Sequence, residues 1–248
     1  MTLTDSELDR YARQIVLPQV GGVGQRKLKA ARVAVVGAGG IGSAVIPALA
    51  GAGIGHLTII DDDVVELANL HRQPLFGEAD TGQPKAALAA AFVERLNAHV
   101  AVNPVQARID ASNAPGLLEN HDLVIDGSDN FATRLAVSDA CVTLAIPLLS
   151  AAAVQFQGQI GLFRGRPCYR CFVGDAFDAD DCDTCAELGM LGALTGTVGN
   201  FAALLALQTI VGLGGDKAGA LHLFDGERLS WRAIRIPADP ACKACSSA

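Results

Sequence analysis

Half of the 248 residues are hydrophobic, 18% are charged and the formal net charge is -7, a balance that excludes a disordered chain and suits a well-buried core in one large domain or two small ones. The negative charge also excludes bulk attraction to nucleic acid, so any anion site must be built locally. Seven cysteines behind a polar, amphipathic start, MTLTDSELDRYARQ, with no charged n-region before an apolar stretch, point to the cytoplasm and to metal or thiol chemistry rather than a disulfide framework.

The first chemical signal is VVGAGGIGSAVIPALAGAG, residues 35–53. It reads as a strand over Val33 to Val36, a glycine turn and a helix from Gly40 to Gly51. Gly37, Gly39 and Gly42 have G-x-G-x-x-G spacing, in which missing side chains let backbone N–H groups approach a phosphate and let the helix pack on its strand. The helix N-terminus adds an anion site. Alone, the pattern says nucleotide, most commonly a dinucleotide enzyme, or else an empty tight turn.

A second strand, Leu57 to Ile60, ends in DDDVVELANLHRQPLF. Asp61 stands 24 residues after Gly37, where a carboxylate binds a ribose diol. Asn69, Arg72 and Gln73 follow, and Lys85 in GQPK opens a helix running to Ala98. A triphosphate carries about four negative charges and needs Arg and Lys near the glycine turn; taken singly, Arg72 or Lys85 reads as a solvated surface charge. Beyond the strand Leu123 to Ile125 comes DGSDN, residues 126–130. There Asp126 or Asp129 offers a Mg²⁺ ligand at a strand's carboxyl end, or a cap for the helix Asn130 to Leu144.

With Pro147 to Leu149 as a further strand, the alternation predicts a Rossmann-like, doubly wound α/β sheet, mainly parallel. After Ala151 the rhythm changes. QFQGQIGLF, ALHLF and RLSWRAIRI read as strands, the last two joined by a turn at Asp225 to Arg228, so the C-terminal section is predicted to be antiparallel. The chain is read as a single domain over 1–248, with a nucleotide-binding half at about 26–150 and a second half at about 151–248. Leu188 to Gly215 carries no charge and is long enough to span a bilayer, but its seven glycines and scattered polar residues predict a loop and a buried helix rather than a membrane segment. The acidic stretch from Gly174 to Cys185 reads as a mobile loop.

Two Cys-x-x-Cys pairs, Cys168 with Cys171 and Cys242 with Cys245, supply four thiolates for a closed, structural Zn²⁺ site, or else form two separate redox or core pairs. Cys141, on an apolar helix, reads as a core thiol.

In order, RYARQIVLP, GAGGIGS, DDDVVELANLHRQ, GQPK, DGSDN, CYRC and CKAC resemble the bacterial ubiquitin-activating-like adenylyltransferases of the MoeB, ThiF and HesA group, a likeness spanning Arg10 to Cys245. The resemblance implies ATP at the glycine turn, with Gly40 and Asp61 on the nucleotide and Asp61 on its ribose. It further implies Asn69, Arg72 and Lys85 on the phosphates, and Asp129 on Mg²⁺. Gln73 and Asn130 join the candidate nucleotide-binding set. Arg13 resembles the arginine that reaches the neighbouring subunit's ATP, which implies a homodimer. The implied partner is a ubiquitin-fold sulfur carrier ending in Gly-Gly, adenylated for thiamine or molybdenum cofactor synthesis, with no nucleic acid or membrane involved.

Cys185 aligns with the family's crossover-loop cysteine, which in some members links covalently to the carrier. The surrounding acids Asp180, Asp181, Asp183 and Glu187 oppose its thiolate, and Cys182 forms a further C-x-x-C with it. No rhodanese segment follows Cys245, so sulfur is expected from another protein. DDDVV, DNFATR and LFDGERLSWR lean toward the thiamine branch and TCAELGM toward the molybdopterin branch. Two other readings stand beside this one. A nicotinamide-dependent oxidoreductase leaves Arg72, Lys85 and Asp129 without a task, and a non-catalytic scaffold gives no reason for the phosphate ligands.

Overall fold

The computed structural model describes residues 2–174 and 189–246. One eight-stranded sheet runs through it in the order β3-β2-β1-β4-β5-β6-β7-β8. β1 (Arg32–Val36) lies at its parallel centre, flanked by β2 (His56–Ile60) and β4 (Leu123–Asp126). These strands are near-continuous Val, Ile and Leu because helices cover both faces, leaving no position for a polar alternation. Val33, Val35, Ile59, Leu123 and Ile125 are all fully buried.

β5 (Leu148–Val154) continues the parallel set from β4, and β6 (Gln157–Phe163), β7 (Ala220–Asp225) and β8 (Ser230–Arg235) extend it antiparallel. The architecture is therefore the mixed α/β sheet read from the sequence. The strand order reverses between β1 and β4, so the carboxyl ends of these two strands open a crevice at the switch point.

The helices that frame this crevice are α3 (Gly42–Ala52), α4 (Lys85–Leu96) and α6 (Phe131–Thr143), which follow β1, β2 and β4 in turn. Before the sheet come α1 (Asp5–Ile15) and α2 (Gly21–Ala30), and α5 (Ala114–Leu118) and α7 (Tyr169–Val173) are short. α8 (Gly192–Val211) is long and apolar enough to cross a membrane by length and composition. Here it packs against α3, β5 and β6, burying Leu194, Val198, Ala202, Ala203, Leu205 and Ala206. The hydrophobic effect thus accounts for its apolar composition through the core.

Several boundaries differ from the sequence reading for physical reasons. β3 (Ala101–Val105) pairs parallel with β2 although AVNPV gives no strand signal; as an edge strand it tolerates Pro104 and buries little. α4 stops at Leu96, two residues before Ala98. Asn97 turns extended there, and its amide donates to Tyr11 Oη at 2.8 Å and to the Ala50 carbonyl at 2.7 Å. β5 begins just past Pro147 and runs to Val154, because pairing with β6 carries it beyond the apolar trio. The hairpin turn begins one residue later than read. Asp225 closes β7 and its Oδ1 accepts N–H bonds from Glu227 at 3.1 Å and Arg228 at 3.0 Å.

Candidate nucleotide cleft and four-cysteine cluster

The crevice is a cleft of about 1050 Å³. Its floor is the turn after β1, where Gly37 takes φ of 88° and donates its N–H to the Ile60 carbonyl at 2.9 Å. A Cβ on Gly42 would stand 2.2 Å from the Gly37 carbonyl oxygen, so the turn closes only around glycine. Gly37, Gly39 and Gly40 line the cleft, while Gly42 sits behind it and lets the turn fold.

The end of β2 is strapped to this turn. Asp61 Oδ2 accepts the Ala38 N–H at 2.7 Å and Oδ1 accepts the Asp63 N–H at 2.9 Å. Burial pushes the Asp61 carboxyl up from its ordinary pKa, against the Ala38 hydrogen bond and the Lys85 charge. Lys85, the first residue of α4, is 3% exposed. Its ammonium lies 2.9 Å from Asp63 Oδ2 and its backbone N–H donates to the Asp63 carbonyl at 3.0 Å. A buried ammonium so paired is held ready to meet another anion.

A 3-10 turn, Leu67–Asn69, brings in the next group. Arg72 donates to Asn69 Oδ1 at 2.7 Å, and the Asn69 amide donates to Glu66 at 3.2 Å. Gln73 is buried, and its Oε1 meets no hydrogen-bond partner. An orphaned buried acceptor on a cleft wall calls for a donor.

From the end of β4 and the loop after it come two aspartates that spacing alone did not tell apart and of which the resemblance pointed to Asp129. Asp126 is fully buried, accepting the N–H of Ser128 at 2.9 Å and its hydroxyl at 2.7 Å. Asp129 is exposed on the cleft wall. The helix cap is neither of them: Asn130 Oδ1 accepts the Thr133 N–H at 2.8 Å, which commits that oxygen while the residue still lines the cleft.

Gly37, Gly39, Gly40, Asp61, Asn69, Arg72, Gln73, Lys85, Asp129 and Asn130 thus come together. Arg13 does not: it is exposed on α1, away from the cleft of its own chain. Cys182 and Cys185 lie outside the described residues. Arg134 of α6 was not singled out from the sequence, where its place four residues after Asn130 reads as a helix charge. It is 7% exposed and lines both this cleft and a second one of about 1410 Å³ over β5 to β8. The two clefts share Asp129, Arg134, Ala152 and Ala153. The residues fit a nucleoside triphosphate: a glycine cradle, a ribose-side carboxylate, two cations and an acid at the open end.

At the sheet's other end, Cys168, Cys171, Cys242 and Cys245 place their sulfurs within 4.8 Å of one another. The Cys168–Cys242 and Cys171–Cys245 separations are 3.5 and 3.4 Å, near the ~3.8 Å edge of a tetrahedron with ~2.3 Å metal–sulfur bonds. Burial pushes up the Cys168 thiol, a preference that a bound cation reverses. The cluster ties the C-terminal tail to the start of α7.

A profile of the ThiF family matches residues 11–244. The sulfur carrier protein adenylyltransferase of Thermus thermophilus is 42% identical, aligned over 99% of this chain and 93% of its own. The molybdopterin-synthase adenylyltransferase of Escherichia coli is 38% identical over 98% of each chain. The adenylyltransferase and sulfurtransferase MOCS3 of Anopheles gambiae is 43% identical over 99% of this chain, which spans 56% of that longer protein. Among solved structures, Escherichia coli MccB with MccA-N7isoASN shares the fold, with a TM-score of 0.83 at 22% identity over 98% of this chain and 76% of that one.

Proposed function

The chain belongs to the ThiF family, and from that premise we infer that it is an adenylyltransferase activating the C-terminal glycine carboxylate of a ubiquitin-like sulfur carrier protein. The observation that carries this reading is the gathering of Arg72, Lys85 and Asp129 around the glycine turn, beside a second cleft that opens at Asp129. The first cleft takes ATP and the second takes the carrier's extended tail.

In this reading the carrier's terminal carboxylate oxygen attacks the α-phosphorus. An acyl–O–P bond forms, the Pα–O bond to the β-phosphate breaks, and its electron pair leaves with pyrophosphate. The carboxylate is already ionised at neutral pH, so no general base is needed. Catalysis rests on in-line placement and on charge stabilisation of the phosphates by Arg72 and Lys85. The Gln73 amide N–H groups donate to the phosphates, Asn69 orients Arg72 toward them through its Oδ1, and Asp61 accepts from the ribose. Asp129 is the residue to hold Mg²⁺, which supplies further neutralisation of phosphate charge.

Cys168, Cys171, Cys242 and Cys245 fit Zn²⁺ as a closed four-thiolate site with a structural role. Arg13, remote from its own cleft, is assigned to the ATP of a second copy, which makes the working unit a homodimer. Free thiols in metal-binding spacing accord with the cytoplasm. The nucleotide half corresponds to about 26–150, and the carrier and zinc half to about 151–248.

The test is pyrophosphate release from ATP and Mg²⁺ by the purified protein, with thiamine-type and molybdopterin-type carriers offered separately. Release that depends on one carrier's intact Gly-Gly end is expected. No release with either carrier, together with tight binding of NADH, would overturn the reading in favour of an oxidoreductase.

A further inference from the structure

The loop that carries Asp129 runs from the end of β4 to the start of α6; its Ser128 is buried, and Asp129 is exposed on the cleft. An exposed acid on a short loop needs something to fix it, and here the fixing group lies underneath. Arg134 extends back beneath the loop from the first turn of α6. One Nη2 bond reaches the Ser128 carbonyl and another the Ala151 carbonyl, the latter at 3.0 Å. Nη1 donates to the Ser150 hydroxyl at 3.0 Å and stands 3.9 Å from Asp126 Oδ2. Asp126 in turn receives both the N–H and the hydroxyl of Ser128.

The guanidinium is therefore bonded to the loop at Ser128, one residue before Asp129. It is also bonded to β5 at Ser150 and Ala151, one residue before Ala152 and Ala153. Those two alanines, with Asp129 and Arg134 itself, are the residues the two clefts share. A planar fork satisfies such a set of acceptors, whereas an ammonium cannot span them.

We propose that Arg134 is a positioning residue that locks the Asp129 loop to the floor of the second cleft, so that the acid and the incoming carboxylate are held in one register. The Asp126–Arg134 pair is buried beneath both clefts and turned toward the loop, a supporting layer of the kind that orients a metal-holding acid. This rests on the reading of Asp129 as the acid that holds Mg²⁺.

The experiment compares Arg134→Lys, Ser150→Ala and Asp129→Ala in the full-length protein with ATP and the active carrier. Arg134→Lys is expected to lower kcat for pyrophosphate release by about 10- to 100-fold and to raise the Mg²⁺ concentration for half-maximal rate several-fold, while KM for ATP changes little. Ser150→Ala removes a single partner of Nη1 and should raise the Mg²⁺ requirement in the same direction by about twofold; it keeps the test open if Arg134→Lys does not fold. A general loss of folded protein would lower the active fraction without moving the Mg²⁺ requirement. An unchanged Mg²⁺ requirement in the folded variants, with Asp129→Ala inactive, overturns the positioning role alone. Full activity in Asp129→Ala overturns the functional reading beneath it.

Discussion

Replacing Gly42 by alanine puts the glycine cradle under a defined load. The new Cβ would lie 2.2 Å from the Gly37 oxygen and 3.0 Å from the Gly37 carbonyl carbon, whereas non-bonded heavy atoms settle at about 3.5 Å. Roughly 1 Å of backbone must therefore give way, at a cost of about 1–3 kcal/mol. The movement falls on Gly37 and, through the Ala38 N–H, on Asp61, both assigned to the nucleotide. Most of that cost should appear in binding, as a rise of about 5- to 100-fold in the Kd for ATP. Gly51 on the same helix is the control: it is exposed, and a Cβ there meets nothing within 4 Å. Gly51→Ala should leave ATP affinity alone and add up to about 1 kcal/mol of stability. Calorimetric titration with ATP and urea unfolding measure both. Wild-type affinity in a folded Gly42→Ala protein would refute the assignment of this turn to the phosphates.

Cys242→Ser should lower the melting temperature by several degrees and release bound zinc to a chromogenic chelator, since it removes one of four ligands tethering the tail; an unchanged melting curve in a metal-free protein would remove the zinc assignment. Arg13→Ala and Asp129→Ala, each inactive alone, should regain part of the wild-type rate when mixed, whereas no recovery at any ratio would exclude an arginine acting on the other subunit's ATP. Burial would raise the Glu7 carboxyl, but the Lys29 ammonium and the Thr4 hydrogen bonds overcome it and hold the pKa at about 2 against an ordinary 4.5. The resulting stability, about 1–3 kcal/mol, is fully present above pH 4.5 and is lost as the pH falls toward 2. Lys29→Met should flatten that part of the acid unfolding profile relative to wild type, and an identical profile would refute the assignment.

The centre of the sheet was readable because burial on both faces leaves an unbroken apolar run, as in Val33 to Val36. β3 was not, because an edge strand containing Pro104 has neither the run nor the alternation. The glycine turn and Asp61 were readable as a spacing, and the four cysteines as two pairs that the fold had only to bring together. Spacing says nothing about depth, so it could not separate Asp126, sealed under Ser128, from Asp129, open to the cleft. It also could not lift Arg134 above a helix charge. The three-dimensional partners at Ser128, Ser150 and Ala151 supply that information, and two of them belong to a strand well removed along the chain.

The central claim, that the cleft joins AMP to a carrier's terminal carboxylate, is tested most directly by intact-mass analysis of the carrier after incubation with the protein, ATP and Mg²⁺. The account predicts that one carrier gains a single adenylyl group, carried on its C-terminal glycine. A carrier of unchanged mass throughout, in a reaction where this protein binds ATP, would contradict it.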